Sequence, residues 1–304
     1  MKQHKTTDYA NFAGYIDGDG CFYIGFQRSK IRLSLKPQVL IKITSTNERT
    51  LQHFKKMFGG SVCLMTKAHN NSKALYQYTA RKRALLNFIN KIYPYLVEKK
   101  EEAMLALKFS QSTDKSFQKE CIYKMKILKD TANLVSKHHV DIFKKSKQTI
   151  QPTQEDFAYL AGFIDAECCL SIGKWMPKNK PNYVYKIILS CNNTKAPVFK
   201  WLLERFGGSL SFINRLKSQK ARKNQLKWFI SGRALNKILD KIHPFLLQKQ
   251  PVCDELIKFY RTTLPNGGAR HTASFRTHYA QVLAIREEIV ATIHKLNLKG
   301  INTI

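Results

Sequence analysis

One block of sequence occurs twice in this chain. FAGYIDGDG spans Phe12–Gly20 and LAGFIDAEC spans Leu160–Cys168, and three further blocks follow in the same order at nearly the same spacing. FGGS lies at Phe58–Ser61 and Phe206–Ser209, RAL begins at Arg83 and at Arg233, and KIYPYLVEK (Lys91–Lys99) answers KIHPFLLQK (Lys241–Lys249). Four ordered blocks whose offsets differ by two residues are a tandem duplication. The 304 residues must therefore fold as two similar halves, whatever each half is.

Within each half the pattern predicts a helix (about 8–18 and 154–166), two alternating strands (21–27 and 38–43; 169–175 and 183–191), and a helix stopped by the FGG glycines. Two shorter strands (61–65 and 75–80; 210–216 and 225–230) and a closing helix with the RAL and Pro-aromatic-Leu blocks complete the unit. Each half reads αββαββα, an α+β class. The expected boundaries are 1–109 for the first half, 110–153 for a lysine-rich linker with a helix over 121–135, 154–263 for the second half, and 264–304 for a basic tail. The tail carries helical spacing over 279–296 and has no sequence counterpart in the first half.

The first helix of each half buries one face: Tyr9, Phe12, Ala13, Ile16 and Phe157, Leu160, Ala161, Ile164. Thr153 and Asp156 form a capping-box pattern at the second helix start. A second stripe, Ala10, Gly14, Gly18 and Ala158, Gly162, Ala166, is small at every fourth position, so another backbone can come close. Both helices carry it at equivalent positions, and each is the simplest partner for the other. Asp19 and Glu167 then meet at the foot of the pair, where two carboxylates repel unless a cation sits between them. Mg²⁺ suits an oxygen-only donor set and keeps several waters. Asp17 and Asp165 lie to one side and read as structural, satisfying nearby donors.

Lys+Arg number 52 against 21 Asp+Glu, a formal charge of +31, which calls for a polyanionic partner. With 43% hydrophobic and 11% aromatic residues the chain can build real cores, which excludes a disordered basic tail. No apolar run reaches the roughly 20 residues of a membrane span, so no membrane partner is expected. The start of the chain shows no secretory signal pattern. Seven cysteines, odd in number and without CxxC spacing, point to a reducing, intracellular setting. The Cys168-Cys169 pair is not a metal site, since neighbouring strand residues face opposite ways.

At its two motif helices the sequence resembles the LAGLIDADG homing endonucleases in their single-chain, two-copy form. The resemblance covers about 8–108 and 154–262. It implies a pseudo-twofold, saddle-shaped pair of antiparallel sheets with the motif helices at the centre, acting as a monomer on a long double-stranded DNA site. It also implies Mg²⁺-dependent hydrolysis of both strands. Carried over, the metal-binding acids fall on Asp19 and Glu167, a basic residue near the scissile phosphate on Lys99 and Lys249, and a water-orienting polar position on Ser45 and Asn193. The motif's closing glycine is Gly20 in the first copy but Cys168 in the second. If that position requires positive φ, its Cβ costs about 1 kcal/mol and weakens cleavage.

Alternation places Phe22, Ile24, Phe26 and Leu170, Ile172 toward the core. Tyr23, Gly25, Gln27 and Ser171, Gly173, Trp175 then face out, joined by Gln38, Lys42, Lys186 and Ser190 from the neighbouring strands. These positions suit contacts with base edges, whereas the loop cations Arg28, Lys30, Arg32, Lys178 and Lys180 suit phosphates, predicting a steep salt dependence. The same resemblance admits an RNA maturase assisting splicing of its host group I intron, and Cys168 admits a DNA-binding protein that has lost cleavage. Richness in Lys, Ile, Asn and Phe points to an AT-rich genome such as that of a mitochondrion or chloroplast.

Overall fold

The structure is a computed structural model that describes residues 5–28, 35–68, 73–130, 134–145, 148–178, 183–214, 223–262 and 273–299. The first half runs α1 (Thr6–Asp19), β1 (Gly20–Arg28), β2 (Leu35–Ser45), α2 (Glu48–Phe58), β3 (Ser61–Thr66), β4 (Leu75–Arg81), α3 (Lys82–Ile92) and α4 (Lys100–Gln111). Two further helices, α5 (Lys115–Asp130) and α6 (His138–Lys144), lead to the second half. That half repeats the order: α7 (Gln154–Glu167), β5 (Cys168–Trp175), β6 (Val184–Asn193), α8 (Pro197–Phe206), β7 (Ser209–Ile213), β8 (Gln225–Ser231), α9 (Arg233–Ile242) and α10 (Gln250–Arg261). The tail forms α11 (Ala273–Lys299). Among the described residues no helix is long and apolar enough to cross a membrane.

Both sheets are antiparallel with the same strand order, β1-β2-β4-β3 and β5-β6-β8-β7. Their registers also correspond: Gly20 opposes Ile43 as Cys168 opposes Cys191, and Phe22 opposes Ile41 as Leu170 opposes Leu189. The alternation expected from sequence holds, with Phe22, Ile24, Leu170 and Ile172 buried and Tyr23 and Trp175 exposed. Phe22, Ile24, Ile41 and Ile43 of the first sheet and Leu170, Ile172, Ile187 and Leu189 of the second form one continuous apolar core with the helices. At each FGG turn both glycines take positive φ, 77° and 91° at Gly59 and Gly60, 67° and 86° at Gly207 and Gly208, which side-chain-bearing residues rarely adopt. The capping box at Thr153 forms, Thr153 Oγ1 accepting from Asp156 N–H at 3.2 Å and Asp156 Oδ2 from Thr153 N–H at 2.9 Å.

The closing helix of each half is two helices. Pro94 and Pro244 sit in 3₁₀ turns, Tyr93–Tyr95 and His243–Phe245, where a residue without an N–H can start a new turn but cannot continue an α-helix. The linker helix spans Lys115–Asp130, and Val135 lies beyond it, its N–H donating to Thr194 O at 3.0 Å. The expected end of the seventh strand at 216 lies outside the described residues.

The tail does have a structural counterpart. Phe22 and Leu170 are equivalent residues on strands that form one edge of each sheet. Lys129 Nζ of α5 donates to Phe22 O at 2.5 Å, and Asn297 Nδ2 of α11 donates to Leu170 O at 3.1 Å. Packing agrees, α5 lying against α4 and β1 as α11 lies against α10 and β5. Each sheet edge that would otherwise present unpaired carbonyls is covered by the helix that follows its half.

Candidate active site

The two motif helices α1 and α7 form the most extensive helix contact among the described elements. A Cβ added to Gly14 would lie 2.0 Å from Tyr159 O, one added to Gly162 would lie 1.8 Å from Asn11 O, and one added to Gly18 would lie 2.3 Å from Ala166 Cβ. Ala10 and Ala158 on the same stripe are wholly buried. The small residues thus let backbone meet backbone. Asn11 pins the joint, its Nδ2 donating to Ala158 O at 3.1 Å and to Phe245 O at 2.9 Å.

Two residues before each helix foot, a buried aspartate holds the start of the last helix of its own half. Asp17 accepts from the N–H groups of Val97 (2.7 Å), Glu98 (3.0 Å) and Lys99 (2.8 Å), and from Tyr159 Oη at 2.6 Å. Asp165 accepts from Leu247 N–H (2.6 Å) and Lys249 N–H (2.8 Å). Burial pushes the Asp165 carboxyl up, and these amide bonds oppose that rise. The lysines return the contact: Lys99 Nζ donates to the carbonyls of Ile16 (2.8 Å), Asp17 (2.7 Å) and Gly18 (3.0 Å). Lys249 Nζ donates to those of Ile164 (2.5 Å), Asp165 (3.0 Å) and Cys168 (2.7 Å). An anion at the start of one helix and a cation at the end of the other complement both dipoles. Lys99 and Lys249 are therefore fixed, half-buried groups.

Asp19 and Glu167 come last, each keeping exposed surface at a helix foot. Asp19 is nonetheless flanked by enough protein that loss of water, then the charge of Glu167, push its carboxyl up to about 6, while Lys99 and Lys249 pull it down. One acid thus feels charges from both halves, which places it at their junction. Among the described residues no group of three or more His, Cys, Asp or Glu is gathered for a metal. The donor set is a carboxylate pair in mutual repulsion, and it fits a hard divalent cation that fills its remaining positions with water and carbonyl oxygen.

Ser45 and Asn193 end the second strand of each half beside this junction. Ser45 is buried, its Oγ accepting from Asn47 N–H at 3.1 Å. Asn193 Nδ2 donates to Glu98 Oε2 at 3.0 Å across the halves, and its Oδ1 accepts from Thr194 N–H at 2.6 Å. Sequence reasoning passed over Glu98 and its counterpart Gln248, whose Nε2 donates to Tyr15 Oη at 2.6 Å. Burial pushes the Glu98 carboxyl up to about 8, with Asp17 and Glu167 adding to the rise and Lys99 opposing it. The available signal was an acid directly before the lysine in one copy where the other copy has an amide.

The motif glycine needs a correction. Gly20 has φ −78° and Cys168 φ −97°, both extended backbone, so no positive φ is required and Cys168 carries no strain of that kind. Its thiol is buried while that of Cys169 is exposed, as alternation requires.

The outward sheet faces carry the expected set. Tyr23, Gln27, Arg28, Trp175, Lys178 and Lys186 are exposed, and Gln38, Lys42, Ser171 and Ser190 are half-buried. Gln38 Nε2 donates to Gln27 Oε1 at 2.9 Å, and Lys42 Nζ stands 5.7 Å from the Tyr23 ring centre. Register adds Thr79 and Arg81 to the first face, and Ser211 and Lys227 to the second. Lys30, Arg32 and Lys180 lie outside the described residues.

Residues 12–111 match the LAGLIDADG endonuclease family. No curated protein matches the sequence. Among solved structures, the meganuclease I-SmaMI bound to uncleaved target DNA with calcium ions has a TM-score of 0.63 at 16% identity, covering 94% of this chain and 98% of that one. I-AabMI bound to uncleaved DNA gives 0.59 at 20% identity, covering 92% and 98%. I-SmaMI bound to cleaved DNA gives 0.59 at 16%, covering 91% and 95%. The first half is thus matched directly to that family, and the second half repeats both its motif and its fold.

Proposed function

We propose that the chain is a monomeric, site-specific endonuclease that cuts both strands of a long double-stranded DNA target with Mg²⁺. The observation that carries this is the junction of Asp19 and Glu167 at the foot of two interlocked helices, in a chain of charge +31 whose two sheets expose polar and aromatic faces. The DNA-bound state of I-SmaMI and I-AabMI supports the choice of duplex. Asp19 and Glu167 would hold the metal, whose chemistry when bound is to stabilise negative charge on phosphate oxygen and to lower the pKa of water.

The protein's own contribution is placement. The backbone contact at Gly14 and Gly162 fixes the spacing of the two acids, and the aspartate–lysine clamps fix both helix ends. Lys99 and Lys249, held beside Asp19, set positive charge where a phosphate would approach. The outward residues of the two sheets would read base edges, with Arg28 and Lys178 on phosphates. Cleavage is preferred over a binding-only role because both acids are retained and Cys168 is not held at positive φ.

Purified protein with Mg²⁺ should linearise a plasmid carrying its uninterrupted insertion site. Because the carboxylate form of Asp19 is the one that binds metal, activity should fall as pH drops through about 6, where Asp19 takes up its proton. Raising Mg²⁺ should move that midpoint lower, since metal and proton compete. Failure to linearise the plasmid at any pH would overturn this reading.

A further inference from the structure

The duplication is broken at one place on the helical side of the second half. A cavity of about 570 Å³ opens there between the linker segment at 148–152, the end of α8 and one face of α9. Arg233, Lys237 and Lys241 line it at successive turns of α9, with Arg205 at the end of α8. Arg205 is tied to Asp156 at 2.8 Å, whereas no ion pair to Arg233, Lys237 or Lys241 is found among the described residues. Lys241 Nζ stands 5.0 Å from the Phe157 ring centre, and its first-half counterpart Lys91 stands 5.4 Å from that of Tyr9. That much is symmetric.

The charge along α9 is not. Where the second half has Lys237 the first has Asn87, while Arg205, which stands where the first half has Met57, is engaged by Asp156. The wall is built by the linker, because Gln148 N–H donates to Leu203 O at 2.8 Å and Ile150 N–H to Glu204 O at 3.0 Å, docking the linker along α8. A pseudo-symmetric duplex lying on both sheets cannot reach this place. Leu235, Leu239 and Ile242 of α9 are buried against the inner face of the second sheet, so the cavity and the outward sheet face lie on opposite sides of the core.

We propose that this cavity binds the phosphate backbone of a nucleic-acid strand other than the duplex on the saddle. Cations at i, i+4 and i+8 rise by about 6 Å per step along a helix. That step matches consecutive phosphates of a single strand and exceeds the spacing within one polyphosphate tail. Apolar surface from Ile150, Phe157 and Ile238 floors the cavity, where an unstacked base can lie. The proposal stands apart from the cleavage reading, since it uses none of the residues assigned to metal or duplex.

The test is binding of a labelled single-stranded RNA oligonucleotide to the full chain saturated with non-specific duplex DNA. The RNA complex should persist. The double variant Arg233→Gln with Lys237→Asn, the latter restoring the first half's residue, should weaken it by about tenfold and lower the slope of log K against log salt by roughly 1.4 for two lost contacts. Duplex affinity and melting temperature should not change, because both side chains are exposed. The proposal is overturned if duplex displaces the RNA, if the variant binds RNA as the wild type does, if duplex and RNA affinity fall together, or if a nucleoside triphosphate displaces the RNA at equal phosphate concentration. Plasmid linearisation that stays intact in the variant separates this outcome from failure of the endonuclease reading.

Discussion

Asp19→Asn and Glu167→Gln are each expected to reduce plasmid cleavage about a thousandfold, while duplex affinity stays level or rises slightly. A metal-held transition state loses several kcal/mol when one of its two charged ligands becomes neutral, and every 1.4 kcal/mol is a factor of ten in rate. Affinity responds differently, because the acids sit in a protein of charge +31 and removing one negative charge cannot weaken attraction to phosphate. Both carboxylates are exposed at helix feet, so the amide variants should fold normally. Asp17→Asn is the informative contrast. Its carboxylate accepts from three backbone amides and a tyrosine, so its loss should appear as lower thermal stability before it appears in the chemistry. Wild-type cutting by Asp19→Asn would remove Asp19 from the metal site.

Gly162→Ala should be the most damaging added methyl among the described glycines. Its Cβ would lie 1.8 Å from the carbonyl oxygen of Asn11 and 3.0 Å from Tyr15 N. Both are backbone atoms of a helix, so the clash is relieved only if α1 and α7 separate. Overpacking that moves backbone costs about 3 kcal/mol or more, a fall of roughly 5 °C or more in melting temperature at this chain size. Gly18→Ala strikes the foot of the same contact. Its Cβ would lie 2.3 Å from Ala166 Cβ, an atom with no rotamer to move, and 3.0 Å from Glu167 Cγ, so the helix ends must part and the acid must shift. That variant should lose both stability and cleavage. A thermal melt beside a cleavage assay reads both, and a Gly162→Ala protein that melts like the wild type would refute the close helix contact.

Much of this architecture was legible because duplication makes the sequence test itself. The paired stripes at Gly14 and Gly162 identified the central contact, and the acids beyond them followed from helix geometry. The alternation in Phe22–Phe26 and Leu170–Ile172 assigned the sheet faces. Three features were not legible, for physical reasons. Pro94 and Pro244 split the closing helix although the apolar spacing on either side runs on as if helical. The clamp between Asp17 and the amides of Val97–Lys99 consists of bonds to backbone, which carries no residue-specific signal. Glu98 looked like one more surface acid, and only the fold brings it against Asn193 of the other half.

The sheet-edge helices bear on how the chain can be shortened. A boundary drawn by sequence similarity would end the second half near residue 263, before α11. Such a truncation would keep the second half's repeat elements whole, yet leave the carbonyl of Leu170 and its neighbours on β5 as an open template for another chain. It should assemble edge to edge and precipitate, whatever its catalytic competence. Solubility here depends on the segment without a sequence counterpart, so the working length of each repeat is set by its edge-covering helix.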